Sequence, residues 1–296
     1  MEVNFLKSIN NASKTFDKKI SLSKNIAIVF DENADGFSCA KIFSLILEKK
    51  KKEFDIFIKR REKNISKKIL KYDFLIFLDV TFKKDELKLI RNVKNAMIID
   101  DQKPSTLTLK KFIILNPYLY KSFVPSSSIC YFFSQHIYST KETIFYSMIG
   151  SNYDNFSVKS LEKKFFHFFS KEDLKYTNAL QYFIRKSKDK KIEKLLEKNE
   201  RELKKDLKKY VKKVEEISKK KKTKSGFTRI VARYLYEKEK KPIAIISKDK
   251  KEITVFSKKI SISPNQSWNF FEFFNEGLEV LAKKEEIEKI IENVSK

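Results

Sequence analysis

Ile26-Ala27-Ile28-Val29-Phe30-Asp31-Glu32-Asn33-Ala34-Asp35-Gly36-Phe37-Ser38-Cys39-Ala40 decides how this chain is read. A short apolar run ends in alternating acidic and amide residues, then a glycine, then a helical pattern. In an open α/β sheet, ligands collect at the carboxyl ends of the strands. If the strand stays extended through the acidic stretch, side chains 31, 33 and 35 share one face. Three oxygen-bearing side chains at that edge are what a hard divalent cation needs. Taken alone, the segment reads equally as an acidic strand-to-helix turn with Asp35 as the helix cap.

The same placement recurs. Phe74-Leu75-Ile76-Phe77-Leu78 ends in Asp79, and Ala96-Met97-Ile98-Ile99 ends in Asp100-Asp101-Gln102. A further acidic position, Asp154, follows Gly150. Parallel strands would bring the first three ends to one edge, with residues 37–50 and 82–93 as crossover helices. The spacing therefore predicts an α/β fold with a mostly parallel sheet and flanking helices.

On these motifs the chain resembles the DHH phosphoesterase superfamily, which includes RecJ-like exonucleases and nanoRNases. The family's first motif, roughly Asp or His, x, Asp, x, Asp-Gly, falls on Asp31-Glu32-Asn33-Ala34-Asp35-Gly36. The family's lone second aspartate falls on Asp79, and its namesake Asp-His-His on Asp100-Asp101-Gln102. Asn116-Pro117, the helix start Ser126-Ser127-Ser128, and Asp154 after Gly150 match the later motifs. The resemblance implies a metal set of Asp31, Asn33, Asp35, Asp79, Asp101 and Asp154. It also implies a catalytic motif, Asp100, Asp101 and Gln102, in degenerate form.

In the family, two Mn²⁺ or Mg²⁺ ions activate water and clamp the phosphoryl group. Here Asn33 stands for the central aspartate, and Asp101 and Gln102 stand for both histidines. The chain's two histidines, His136 and His167, occupy no family motif. His167 lies among phenylalanines and reads as a packed core residue. The remaining carboxylates could hold one Mn²⁺ or Mg²⁺ at most, or none. Without a cation they would repel one another, and some would take protons.

With 296 residues and 41% hydrophobic content, the chain can bury two cores. Only Cys39 and Cys130 are present, without metal-type spacing, and no disulfide is expected. No apolar stretch approaches the roughly 20 residues of a membrane span, and Met1-Glu2-Val3-Asn4-Phe5-Leu6 lacks a signal-peptide pattern. The expected location is cytoplasmic, with no membrane partner. The formal net charge is +26, from 65 basic and 39 acidic residues. Coding bias toward adenine and thymine would inflate lysine, but it would raise glutamate as well. The surplus points to a polyanionic partner, single-stranded DNA or RNA.

Three regions are expected: a DHH-like domain over 1–185, a charged linker helix over 186–224, and a smaller α/β DHH-associated domain over 225–296. Residues 1–20 read as a helix, with Phe5, Ile9, Ala12 and Phe16 in phase. In the linker, Leu196, Leu203, Leu207, Tyr210, Val214 and Ile217 form one apolar seam. In the third region, a helix over 227–237 precedes strands 243–246 and 252–256. Trp268–Phe274 and Leu278–Val294 read as further helix. The family's Gly-Gly-Gly-His substrate loop has no counterpart, since the chain has four glycines in all and only Gly277 lies near. Arg229, Ser257, Lys258, Lys259 and the run Lys219, Lys220, Lys221, Lys222 are the candidate nucleic-acid contacts, in a cleft between the domains.

Two functions remain open. One is a catalytically impaired RecJ-like protein that binds single-stranded nucleic acid or scaffolds a replication or repair partner. Degenerate superfamily members, by this resemblance, act beside replisome proteins of the MCM and GINS type in archaea and eukaryotes. The other is an active metal-dependent phosphoesterase cutting single strands or short oligonucleotides.

Overall fold

In a computed structural model of the chain, the described residues are 3–60, 63–103, 111–122, 124–153, 174–219, 227–239, 243–248, 252–256, 270–274 and 277–281. The elements run α1(Val3–Leu22), β1(Ile26–Asp31), α2(Ala34–Lys49), β2(Asp55–Lys59), β3(Phe74–Leu78), α3(Lys84–Ile90), β4(Ala96–Ile99) and β5(Ile113–Leu115). They continue as α4(Ser126–Ser134), α5(Lys141–Tyr153), α6(Leu174–Lys186), α7(Asp189–Leu196), α8(Glu200–Lys219), α9(Thr228–Glu239), β6(Ile243–Ile246), β7(Glu252–Phe256), β8(Phe270–Phe274) and β9(Gly277–Leu281). Two compact units result: Met1–Asp173 with Lys188–Leu203, and Leu174–Ser187 with Lys204–Lys296. Thus α7 belongs to the first unit and α6 to the second.

The first unit is built on a five-stranded sheet of order β2-β1-β3-β4-β5, with every neighbouring pair parallel. A strand buried on both faces must be apolar throughout, which is how β1, β3 and β4 read. On one face, Ala27, Val29, Leu75, Phe77 and Ile98 pack with Tyr72, Val80, Phe82, Ile90 and Val93. On the other, Phe16 of α1 meets Phe43, Phe74 and Phe133 edge-on at centroid distances of 5.8, 5.8 and 5.3 Å. The 3.6-residue stripe Phe5, Ile9, Ala12, Phe16 and Ile20 is buried along α1, as its spacing predicts.

The charged stretch is not one continuous helix. It breaks between α7 and α8, so Leu196 lies on a different helix from Leu203, Leu207 and Val214, which are buried along α8. Asn199 causes the break. Its Oδ1 accepts from the Glu202 backbone N–H at 3.0 Å, and the Glu202 carboxylate accepts from the Asn199 N–H at 3.2 Å. This reciprocal capping, in an Asn-x-x-Glu pattern, starts a new helix.

The second unit carries a four-stranded antiparallel sheet of order β6-β7-β9-β8. Against it, α9 buries Val231, Ala232 and Leu235 with Ile245. On the other side of α9, Phe227 and Ile230 pack with Tyr182 of α6 and Val214 of α8. Residues 270–274 and 278–281 are strands, correcting the helices expected there. Phe270, Phe271, Phe273 and Phe274 suit a pleated, paired strand better than a helix, and they pair with Leu281, Val280, Leu278 and Gly277. Residues 268–269 and 282–294 of those expected helices lie outside the described residues. No helix among the described residues is long and apolar enough to cross a membrane.

Phe16→Ala should lower the unfolding free energy by about 3–5 kcal/mol, because three rings lose their shared partner. Leu22→Ala, at a side chain 86% exposed, should change it by no more than about 0.5 kcal/mol. Urea unfolding of both variants checks the difference.

Candidate metal centre

Strand register builds the site. Phe30 lies opposite Leu78, and Leu78 opposite Ile99. One residue further along each chain is acidic, so Asp31, Asp79 and Asp100 stand side by side on three adjacent strand ends. Asp79 is held in the left-handed region at φ 57°, while its N–H donates to the Ile99 carbonyl at 2.8 Å. Aspartate tolerates that conformation better than most residues. The turn ends the strand and keeps the carboxylate at the sheet edge.

The strand does not stay extended through residue 35. It ends at Asp31, and the cap of α2 is Asn33, not Asp35. Asn33 has extended backbone (φ −132°, ψ 174°), and its Oδ1 accepts from the Gly36 N–H at 2.6 Å. That bond fixes which way the carboxamide faces. Its Nδ2 then points outward and donates to Asp31 Oδ2 and Asp79 Oδ2, each at 2.8 Å. Gly36 makes the approach possible, since a Cβ there would lie 2.5 Å from the Asp31 carbonyl oxygen.

Asp35 is fully buried in the first turn of α2. Its Oδ1 accepts from the Ser127 N–H at 3.2 Å, at the start of α4. Next to it, Ser126 Oγ donates to Asp79 Oδ1 at 3.1 Å. Gly150 of α5 closes this side, because any Cβ there would overlap Asp35 Oδ1 and Ser127 Oγ. The serines were legible only as small residues at a helix start; their donor role depends on contacts 47 and 92 residues away in sequence.

Asp79, Asp100 and Asp101 each offer one carboxylate oxygen, and these oxygens lie within 4.8 Å of one another. Gln102 turns its Nε2 toward Asp101 Oδ1 at 3.4 Å, and its backbone N–H donates to Asp100 Oδ1 at 3.3 Å. Asn116 was not assigned a role from sequence. Its Nδ2 donates to the Gln102 carbonyl at 2.8 Å, and its Oδ1 accepts from the Tyr118 N–H at 3.0 Å. It ties the 100–102 segment to the turn after β5. The asparagine-proline pair signals such a side-chain turn, but its tie to Gln102 is a long-range contact.

Burial pushes the Asp100 carboxyl up to about 8, and the charges of Asp31 and Asp35 push the same way. The Gln102 and Asp101 N–H groups oppose the rise without cancelling it. Below the site, the buried thiols of Cys39 and Cys130 are hydrogen-bonded to each other and both raised by burial. Such thiols are inert packing groups.

Among the described residues, one group of carboxylates is placed to hold a hard ion. Three carboxylate oxygens at Asp79, Asp100 and Asp101 suit Mg²⁺ or Mn²⁺. Between Asp31 and Asp79, however, the Asn33 N–H groups face the position where an ion would require lone pairs. Of the other residues expected at the site, Asp154 lies outside the described residues, as do Ser257, Lys258, Lys259, Lys220, Lys221 and Lys222. Lys219 is the last residue of α8. Arg229 is on α9 and only 4% exposed, so it does not offer phosphate the open face expected of it.

The architecture matches known structures. The Mn²⁺ complex of RecJ from Thermus thermophilus superposes with a TM-score of 0.66 at 13% identity, over 97% of this chain and 54% of that one. A manganese-bound exonuclease RecJ gives 0.62 at 13% identity, over 97% and 93%. A DHH domain from a member of a ribosomal-protein family gives 0.66 at 11% identity, over 98% and 90%. This is the RecJ-like DHH fold. The chain spans about half (54%) of the length of the Thermus RecJ. No protein-family model matches the sequence, and no curated protein does.

An acid raised in the folded state binds protons that the unfolded chain, near the ordinary value of about 3.9, has released. The stability contributed by Asp100 is therefore complete below about pH 4 and lost as the pH rises through about 8. In chelator, wild-type stability should fall between pH 5 and pH 9, and Asp100→Asn should flatten that slope. Denaturant unfolding at each pH measures it.

Proposed function

We propose that this protein is a catalytically impaired RecJ-like DHH protein that binds single-stranded nucleic acid. The observation that carries the impairment is the Asn33 carboxamide, whose two N–H groups are turned onto Asp31 and Asp79. Phosphoryl transfer by paired ions needs both ions, one to generate the nucleophile and one to clamp the leaving oxygen. A site with donors in place of lone pairs supplies at most one. Gln102, where the fold's relatives would be expected to carry a nitrogen ligand, offers an amide N–H to Asp101 instead of a ring nitrogen.

Nucleic-acid binding rests on the +26 formal charge. Phosphate neutralisation releases condensed counterions, so such a chain gains affinity for any polyphosphate backbone. Ser257, Lys258, Lys259 and Lys219 to Lys222 are the proposed contacts, and a cytoplasmic location is part of the reading. A scaffolding role beside replication or repair proteins uses the same non-catalytic core.

One observation favours a second reading. The oxygens of Asp79, Asp100 and Asp101 could hold a single Mn²⁺ or Mg²⁺, and the RecJ structures of this fold carry manganese. A slow, one-ion phosphoesterase would follow. In that case the ion supplies Lewis-acid activation of water, while Asn116 and Ser126 keep its carboxylates in place.

Affinity for a labelled single strand should fall with salt at a log–log slope of about −0.7 per phosphate contact, with little sequence preference. Lys258→Ala with Lys259→Ala should weaken binding more than Lys83→Ala with Lys84→Ala. Equal losses would leave only diffuse polyanion attraction. In Mn²⁺, nucleotide release from the strand should not exceed that of an Asp35→Ala, Asp79→Ala variant; a clear excess would establish the enzyme.

A further inference from the structure

We propose that the Asn33 carboxamide is a built-in substitute for a bridging cation, holding Asp31 and Asp79 together so that the folded site needs no ion between them. Three features carry this. The amide is oriented by an independent bond, since Oδ1 is committed to the Gly36 N–H at 2.6 Å. The opposite end therefore presents two N–H groups, and each meets a different carboxylate oxygen at 2.8 Å. Those two carboxylates come from adjacent parallel strands whose register forces them together. Two negative groups so placed need positive charge or hydrogen-bond donors between them.

The other carboxylates are served in the same way. Asp79 takes the Ser126 hydroxyl and Asp35 the Ser127 N–H. A carboxylate that accepts such bonds is stabilised in its charged form without a metal. The site is thus a polar core knitted by internal donors, with Asn33 at its centre. One asparagine caps a helix with its oxygen and links two strands with its nitrogen.

The substitution that tests this is Asn33→Asp. Aspartate caps a helix as well as asparagine does, so the bond to the Gly36 N–H survives. Only the two donated bonds are lost, and a third carboxylate oxygen now faces Asp31 and Asp79. The inference rests on reading this sheet edge as a metal edge, and it makes no use of nucleic acid.

Thermal unfolding at pH 8, in EDTA and then in excess Mn²⁺ without nucleic acid, is the measurement. Wild type should unfold cooperatively in EDTA, with a midpoint that excess Mn²⁺ raises by no more than about 2 °C. Asn33→Asp should unfold at least about 5 °C lower in EDTA. Mn²⁺ should raise the variant's midpoint more than the wild type's, with an apparent affinity about tenfold or more tighter. If Asn33→Asp fails to fold in EDTA, the exchange Asp31→Asn with Asn33→Asp decides. It returns one amide to the cluster and should recover a cooperative transition in EDTA. An Asn33→Asp variant as stable as wild type in EDTA overturns the proposal. So does a variant that Mn²⁺ does not rescue beyond wild type, or an exchange variant that stays unfolded. Those outcomes leave the impaired-enzyme reading standing, whereas wild-type nucleotide release overturns that reading and leaves this one.

Discussion

The carboxamide of Asn33 meets two demands at once, and the first unit is arranged around both. Its oxygen takes the Gly36 N–H and begins α2; its nitrogen joins the ends of β1 and β3. Neither bond would form at this distance without Gly36, which lets the helix start against the Asp31 backbone. Nor would Asp79 reach the amide without its left-handed turn. A parallel sheet gathers strand ends at one edge, and here three of those ends are carboxylates. Such an edge must be neutralised by ions, protons or hydrogen-bond donors. This chain sets hydrogen-bond donors against Asp31, Asp79 and Asp35, while burial raises the Asp100 carboxyl.

Much of the first unit was legible because its signals are local and repeated. Apolar runs ending in Asp31, Asp79 and Asp100 mark the strands, and the stripe on α1 marks its buried face. Parallel pairing then follows from the helices between the strands. The role of Asn33 was legible only in part. Loss of a charge could be read from sequence, but the direction of an amide depends on the Gly36 bond. Asn116, Ser126 and Ser127 act across long sequence separations, and no periodicity reports such contacts.

The second unit was harder to read for a different reason. In Phe270-Phe271-Glu272-Phe273-Phe274, apolar residues flank one charge on both sides, so neither a helical nor an alternating pattern stands out. Phenylalanine favours the pleated state, and pairing with β9 settles it. In the first unit, the break between α7 and α8 rests on Asn199, a polar residue inside a polar stretch. Its capping bond with Glu202 outweighs the heptad-like spacing from Leu196 to Leu203. Burial of Arg229 follows from α9 packing with neighbours on several sides, which a single-face reading of the helix does not convey.

At this edge of the sheet an amide takes the part of an ion. Calorimetric titration of the metal-free protein with Mn²⁺ tests it most directly, because it counts ions as well as weighing them. At most one ion per chain should bind, weakly, at Asp79, Asp100 and Asp101. Two ions per chain with submicromolar affinity would contradict it, since among the described residues the place left for a second lies between Asp31 and Asp79, where the Asn33 N–H groups stand.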